Sequence, residues 1–356
     1  MRILLITDAW HPQINGVVRT LETISHHLQN LGHEIRVVGP NEFRSFSCPT
    51  YPEISLAFGV KRKLHQIISG GHYHSIHIAT EGPLGFSARR LCLQLRVPFT
   101  TAYHSKFPEF IHARAGIPTS WVYRVLRRFH APSQAVMVAT NSLKKDLACR
   151  GFKNLKIWSR GVDTKLFRPR SKDFLSDPRP ISLYVGRVAV EKNIGAFLDL
   201  ELPGTKYVVG DGPQLAELKA RFSQVKFVGL KKGEELAQYF SAADVFVFPS
   251  KSDTFGLVLL EALASGLPVA AYPVTGPVDI LQQDRVGVMN KDLGAAVTRA
   301  LKLRSEDCRN YTLQYSWENA AKQFLNNLSS IHAEFQRQDL FGEIQTRSAY
   351  KFLTQV

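Results

Sequence analysis

With 356 residues, 44% of them apolar and 21% charged, the chain has material for two cores and the composition of a globular protein, not of a disordered or fibrous one. Its four cysteines are scattered without a C-x-x-C pair, which argues against a disulfide framework or structural zinc and for a reducing compartment; no apolar run reaches membrane-spanning length, so no transmembrane helix is expected. The net charge of +15 is uneven: residues 1–170 hold 24 Lys and Arg against 9 Asp and Glu, whereas residues 171–356 hold 21 of each, so the first half is built to meet a polyanion such as an anionic membrane, a nucleic acid or a phosphorylated ligand.

Ile3–Ile6 reads as a buried strand leading to Asp8, too short for the apolar region of a secretion signal. The loop Asp8 to Asn15 then enters a helix at Gly16, a residue that lets backbone approach a ligand closely. Glu34–Val38 is the second strand, which makes this a βαβ opening and predicts a parallel sheet. Residues 41–60 read as irregular, and Leu56–Ile68 as a short basic amphipathic helix. Val60, Leu64, Ile67 and Ile68 form its apolar stripe beside Lys61, Arg62 and Lys63. Such a segment suits an anionic bilayer, and equally a surface helix docked on its own domain.

Further strands are expected at Ser75–Ala79, Pro98–Ala102, Ala135–Ala139 and Lys156–Trp158, with helices at Phe86–Leu95 and Ser142–Arg150. His104 follows the Pro98–Ala102 strand at its carboxyl end, where open parallel sheets bind ligands; a structural role is the plainer alternative. From Lys106 to His130 aromatic and basic residues interleave: Phe107, Phe110, Trp121, Tyr123 and Phe129 beside Arg114, Arg124, Arg127 and Arg128. The pattern suits a membrane interface, and no nucleic-acid recognition motif accompanies it. A polar stretch around Asp177-Pro178-Arg179-Pro180 marks the boundary between domains 1–170 and 171–334.

The alternation restarts with strands at Ile181–Val185, Tyr207–Val209, Val225–Val228, Val245–Phe248 and Pro268–Ala271. Gly186, Arg187 and Lys192 lie in the loop after the first of these. Two cations at helix N-termini suit a diphosphate, and a pair of surface cations is the plainer reading. Gly210-x-Gly212 lacks the third glycine of a dinucleotide fingerprint. After Val245–Phe248 comes a polar turn carrying Asp253, then Thr254-Phe255-Gly256 at a helix start and Glu261 within the helix. Free amides flanked by two acids could hold a phosphate and sugar hydroxyls; a capping Asp and a surface Glu are the plainer reading. Helices are expected at Trp317–Asn327 and Ser329–Gln338.

In combination these segments resemble the retaining glycosyltransferases of family GT4, with the GT-B fold. The matching pieces are Thr7-Asp8-Ala9-Trp10 with Asn15-Gly16-Val17, Thr80-Glu81-Gly82-Pro83, Tyr103-His104-Ser105, Arg160-Gly161-Val162-Asp163, Gly186-Arg187 with Glu191-Lys192-Asn193, and Val209 to Pro213. They continue with Pro249-Ser250, Glu261-Ala262 and Ala264 to Val269, so the likeness runs through residues 1–330. The resemblance implies an α/β protein of two Rossmann-like parallel-sheet domains facing across a cleft. It implies an acceptor-binding first domain and a nucleotide-sugar-binding second one, with a helix from about 335–356 packing back on the first. It implies that Glu261 holds the ribose and Asp253 the donor-sugar hydroxyls, with Thr254, Phe255 and Gly256 at the sugar or phosphate. Arg187 and Lys192, beside Gly186, would stabilise the leaving diphosphate, Gly16 would approach the phosphates from across the cleft, and His104 would contact the donor sugar. The family pattern has two glutamates; Asp253 stands at the first, which bears on the choice of sugar.

The function expected on this basis is transfer of a hexose from a nucleotide diphosphate sugar, of the GDP-mannose or UDP-glucose type, to a lipid acceptor at the cytoplasmic membrane face. No cofactor or metal is expected, because Arg and Lys can neutralise the diphosphate. The same fold acting on a soluble sugar phosphate or polysaccharide is the alternative, and a nucleic-acid-binding protein a distant one.

Overall fold

A computed structural model describes residues 1–13, 15–48 and 51–328, without the side chains of residues 51–53, 110, 113 and 114. The helices expected at 329–338 and about 335–356, and the side chains of Phe110 and Arg114, lie outside the described residues. In chain order the strands are Arg2–Ile6 (β1), Glu34–Val38 (β2), Arg44–Cys48 (β3), Tyr51–Phe58 (β4), Ser75–Ile78 (β5), Thr100–Tyr103 (β6), Val136–Val138 (β7), Leu155–Ile157 (β8), Ile181–Val185 (β9), Thr205–Val209 (β10), Lys226–Gly229 (β11), Val245–Phe248 (β12), Val269–Ala271 (β13) and Gly287–Met289 (β14).

They form two six-stranded parallel sheets, ordered β2-β1-β5-β6-β7-β8 and β11-β10-β9-β12-β13-β14. Each central strand is covered on both faces, which is why it reads as a continuous apolar run rather than an alternating one. Leu4 and Ile6 face a cluster with Leu64, Leu84, Ala88 and Leu91. Ile3 and Leu5 face the opposite cluster with Leu21, Ile24 and Leu28. The second sheet repeats the plan: Leu183 and Phe246 pack with Leu260 and Leu263, and Tyr184, Val245 and Val247 with Phe197 and Val297.

Strand order reverses between β1 and β5 in the first sheet and between β9 and β12 in the second. Open parallel sheets leave a crevice at that point, outside the carboxyl ends of the strands. The loops after β1 and β5 carry Asp8 and Glu81; those after β9 and β12 carry Arg187, Lys192 and Asp253. Topology alone therefore gathers most of the chemistry-bearing residues at two crevices.

Three local expectations change. Residues 41–60 are not irregular: β3 and β4 form an antiparallel hairpin with Phe46 opposite Leu56. The alternation Ser45-Phe46-Ser47 was the signal, and Pro49 and Pro52 obscured it; proline is tolerated in such an isolated, edge-like pair. The expected basic helix is Lys61–Gly70. Of its apolar stripe, Val60, Leu64 and Ile68 are buried in its own domain's core and Ile67 packs partly buried against it, and Lys63 Nζ donates to the Glu42 carbonyl. That stripe is not available to a bilayer. Finally, β14 was not anticipated; three residues show no periodicity.

The Trp317–Asn327 helix has the expected bounds. It falls in the 171–334 range, yet its buried residues Ala320, Ala321 and Phe324 join the cluster of Ile3, Leu5 and Leu21 in the first domain. Ser159 N donates to Gln323 Oε1 (2.9 Å) and Asn327 Nδ2 to the Ile157 carbonyl (2.8 Å). The chain thus crosses between the domains twice, side by side. Gly161 makes the crossing possible: a Cβ there would lie 2.2 Å from the Trp317 backbone nitrogen. Gly161→Ala is expected to lower stability by about 1–3 kcal/mol through overpacking. An unchanged thermal midpoint would show that the crossing can yield.

Candidate active site

The turn after β12 and the loop after β9 are stitched together. Asn193 Nδ2 donates to the Pro249 carbonyl (3.0 Å) and Ser252 Oγ to the Glu191 carbonyl (3.0 Å). Between them Lys192 Nζ meets Asp253 Oδ1 at 2.5 Å. Burial would push the Asp253 carboxyl up, but the Lys192 ammonium, aided by Lys106, holds it below the ordinary carboxylate range. The second oxygen, Asp253 Oδ2, is buried without a hydrogen-bond partner among the described residues.

Arg187 stands half-buried at the end of β9. Its carbonyl accepts from the buried Tyr184 hydroxyl (2.7 Å), which fixes the loop from below. Gly186 is less available than expected, because its N–H donates to the Val209 carbonyl (3.0 Å). The Gly210-x-Gly212 pair also gains an explanation. A Cβ on Gly210 would sit 1.8 Å from the Gly186 carbonyl oxygen, so this glycine exists to let the Arg187 loop lie against its neighbour.

The Leu257–Ala264 helix begins directly after Gly256, and no side chain caps its first turn. Phe255 is buried ahead of it, packed in the domain core. Thr254 is occupied: its hydroxyl donates to the His104 carbonyl (2.5 Å), across the cleft. Facing this helix is the first helix of the chain, Gly16–Asn30, capped by Asn15 Oδ1 on Val17 N and Val18 N. A Cβ on Gly16 would come 3.9 Å from Leu257 Cδ1. Two helix N-termini, each a partial positive charge, therefore meet in the cleft.

Glu261 is not a surface acid. Only 3% of it is exposed, and Oε1 accepts from the Arg19 guanidinium of the opposite domain, while Oε2 has no partner among the described residues. Arg19 went unremarked in the sequence. The available signal was its place one turn past Gly16, on a helix already suspected of facing a ligand.

His104 is half-buried, with its Nε2 enclosed, and is kept neutral: desolvation, with the Arg160 guanidinium beside it, pushes its pKa well below the ordinary range. Arg160 Nη2 lies 3.2 Å from His104 Nδ1. A guanidinium can only donate, so Nδ1 is the acceptor and the ring proton sits on Nε2. That nitrogen is buried and unpartnered among the described residues. Arg160 is itself buried and lies over the Trp158 ring at 4.1 Å; burial lowers its pKa to about 9. Lys106 Nζ reaches across to Thr275 Oγ1 (3.0 Å).

Asp8, buried at the end of β1, accepts from Leu84 N (2.8 Å), Gly85 N (3.1 Å) and Thr80 Oγ1 (2.9 Å). Burial raises its pKa against these donors. It pins the Thr80-Glu81-Gly82-Pro83 loop and the helix after it, a positioning task rather than a chemical one.

The cleft thus gathers the acids Asp253 and Glu261, several cations that include Arg187 and Lys192, a neutral imidazole and two helix N-termini. Among the described residues His104 Nε2, Asp253 Oδ2 and Glu261 Oε2 are buried without a hydrogen-bond partner, which normally costs about 1–3 kcal/mol each unless a partner arrives. Such a set fits a ligand with hydroxyls for the acids and negative charge for the cations.

Comparison with known proteins agrees. Residues 14–166 match the family model described as Glycosyltransferase Family 4, and residues 179–305 match Glycosyl transferases group 1. The chain belongs to the glycosyltransferases of this family, with the GT-B fold. It is 31% identical over 77% of its length to the sulfoquinovosyl transferase SQD2 of Arabidopsis thaliana, spanning 60% of that longer protein. It is 28% identical to a GDP-mannose-dependent alpha-mannosyltransferase of Mycobacterium tuberculosis, covering 81% of this chain and 83% of that one. It is also 28% identical to the alpha-monoglucosyldiacylglycerol synthase of Streptococcus pneumoniae, covering 91% and 83%. Among solved structures, Anabaena HepE in complex with UDP and glucose superposes with a TM-score of 0.69 at 15% identity, covering 92% of this chain and 98% of that one.

Proposed function

We propose that the chain transfers a hexose, with retention, from a nucleotide diphosphate sugar to a lipid acceptor at the cytoplasmic face of a membrane. The observation that carries the donor half is the set of buried, unsatisfied atoms between Lys192, Asp253, Glu261 and His104. Glu261 receives the ribose hydroxyls, Asp253 Oδ2 the sugar hydroxyls, and His104 Nε2–H donates to the sugar. Phe255 and Gly256 lie at the sugar and phosphate. Lys192, Arg187 and the helix start at Gly16 take up the charge that develops on the diphosphate. As the anomeric carbon–oxygen bond to phosphate breaks, a new bond forms to the acceptor oxygen, whose proton passes to the leaving phosphate on the same face.

The acceptor half rests on the basic first domain and on the relative named alpha-monoglucosyldiacylglycerol synthase. Among the described residues no helix is long and apolar enough to cross a membrane, so attachment is proposed as peripheral.

The test is to supply labelled UDP-glucose or GDP-mannose together with a lipid extract. Label is expected in the organic phase with one of the two donors. Label confined to water-soluble product would replace the lipid by a sugar phosphate or polysaccharide, and no transfer at all would sink the reading. Turnover is expected to persist in EDTA, since cationic side chains do the neutralising; activity lost to EDTA and restored by a divalent cation would contradict this.

A further inference from the structure

We propose that the outward face of the Thr119–His130 helix is where this chain docks on an anionic bilayer, an inference that rests on the lipid-acceptor reading above. The helix divides cleanly. Tyr123, Leu126, Phe129 and His130 are buried. Trp121, Arg124, Val125 and Arg128 are exposed, and their spacing of three and four puts them on one stripe.

Two of the four are apolar and far from shielded: Trp121 is 66% and Val125 50% exposed, and Ile117, just before the helix, is 41% exposed. A water-facing tryptophan gives up favourable burial, whereas at the headgroup level of a bilayer its amphipathic ring is in its preferred environment. The arginines supply the matching charge, since their stems lie along apolar surface while the guanidinium reaches headgroup phosphate. The helix contains no acidic residue. The acid beside it, Glu109, accepts from the Tyr123 hydroxyl (2.7 Å) on the buried side. Nothing negative on the stripe opposes an anionic surface.

The competing candidate, Lys61–Gly70, offers cations without apolar side chains, because its stripe is buried in its own core. Position also favours the proposed face. The Phe107–Ala115 helix that precedes it starts right after Lys106, which bridges the cleft to Thr275, and three residues after His104. A bilayer held there lies beside the acceptor side of the cleft.

The experiment is co-sedimentation of the full chain with vesicles of phosphatidylcholine alone and with vesicles containing phosphatidylglycerol. Salt-sensitive binding to the second kind only is expected, with a blue shift in tryptophan emission. Trp121→Ser combined with Arg124→Ser and Arg128→Ser is expected to weaken binding about tenfold or more and to abolish the shift. Lys61→Ser with Arg62→Ser, also cationic but without an exposed apolar partner, is expected to retain most of the binding and the full shift. Equal loss in both variants, unchanged binding in the first, equal binding to neutral vesicles, or use of the same stripe for duplex oligonucleotide instead of vesicles would each overturn the proposal. Nucleotide-sugar stabilisation is measured on the same variants. A wild type that binds vesicles through this stripe but responds to no nucleotide sugar overturns the donor reading and leaves the docking face standing.

Discussion

Lys192→Ala is expected to cut turnover about 10²–10³-fold, the effect of removing one preorganised charge from a developing anion. Lys192 does two things at once. Its ammonium is the partner of Asp253, and it stands in the loop that also carries Arg187. Removing it leaves a partly buried carboxylate without its counter-charge, which lowers stability by less than the loss of a fully buried pair would. The variant will therefore also be less stable, most clearly above the acid range. The sign follows from the Asp253 shift. Its carboxyl is held low in the folded chain, so the pair's stabilisation is present above the unfolded-state value and is lost as pH falls through the folded one. Adding Asp253→Asn to Lys192→Ala removes the orphaned charge and is expected to recover stability but not turnover. Arg187→Ala should also lose turnover. Near-normal turnover in the Arg187→Ala and Lys192→Ala double variant would sink the assignment of these cations to the diphosphate.

The second large effect is expected at Glu261. On the proposed donor reading, Glu261→Ala removes the carboxylate that takes the ribose, an interaction worth about 1.5–3 kcal/mol, or about 10- to 150-fold in donor affinity. Arg19→Ala separates ligand from lock. Arg19 occupies one oxygen of Glu261 from across the cleft, so on the proposed reading a ribose that takes this oxygen displaces it. Deleting the guanidinium is expected to leave nucleotide affinity unchanged or tighter while Glu261→Ala weakens it. Affinity lost equally in both variants would mean that Arg19 holds the ligand itself.

The fold was largely legible. The continuous apolar runs at β1, β9 and β12 are the central strands, and their alternation with helices predicted parallel sheets. What escaped has physical causes. The β3–β4 hairpin hid behind prolines. The stripe on Lys61–Gly70 looked the same from the sequence whether it faced a bilayer or its own core; only the packing of Leu64 and Ile68 decides. The outward stripe of Thr119–His130 needed a helix register that its aromatic and basic mixture does not reveal.

At the site, the loop residues after β9 and β12 were legible because short motifs sit at predictable strand ends. Arg19 with Glu261 and His104 with Arg160 were not. The first pair is separated by 242 residues and the second by 56, and each depends on two loops arriving at one place. The His104 tautomer follows from Arg160 alone, which no spacing rule would indicate. The bland alternatives for Asp253 and Glu261 are removed by burial: one is paired with Lys192, the other enclosed under Arg19.

The central claim is that this cleft binds a nucleotide diphosphate sugar between Glu261 and Lys192. Thermal unfolding with a panel of UDP- and GDP-sugars tests it most directly, because a ligand that binds the folded chain alone raises its midpoint by mass action. One nucleotide sugar is expected to raise the midpoint of the wild type, with the rise lost in Glu261→Ala. No rise with any of them, or the same rise in Glu261→Ala, would contradict the account.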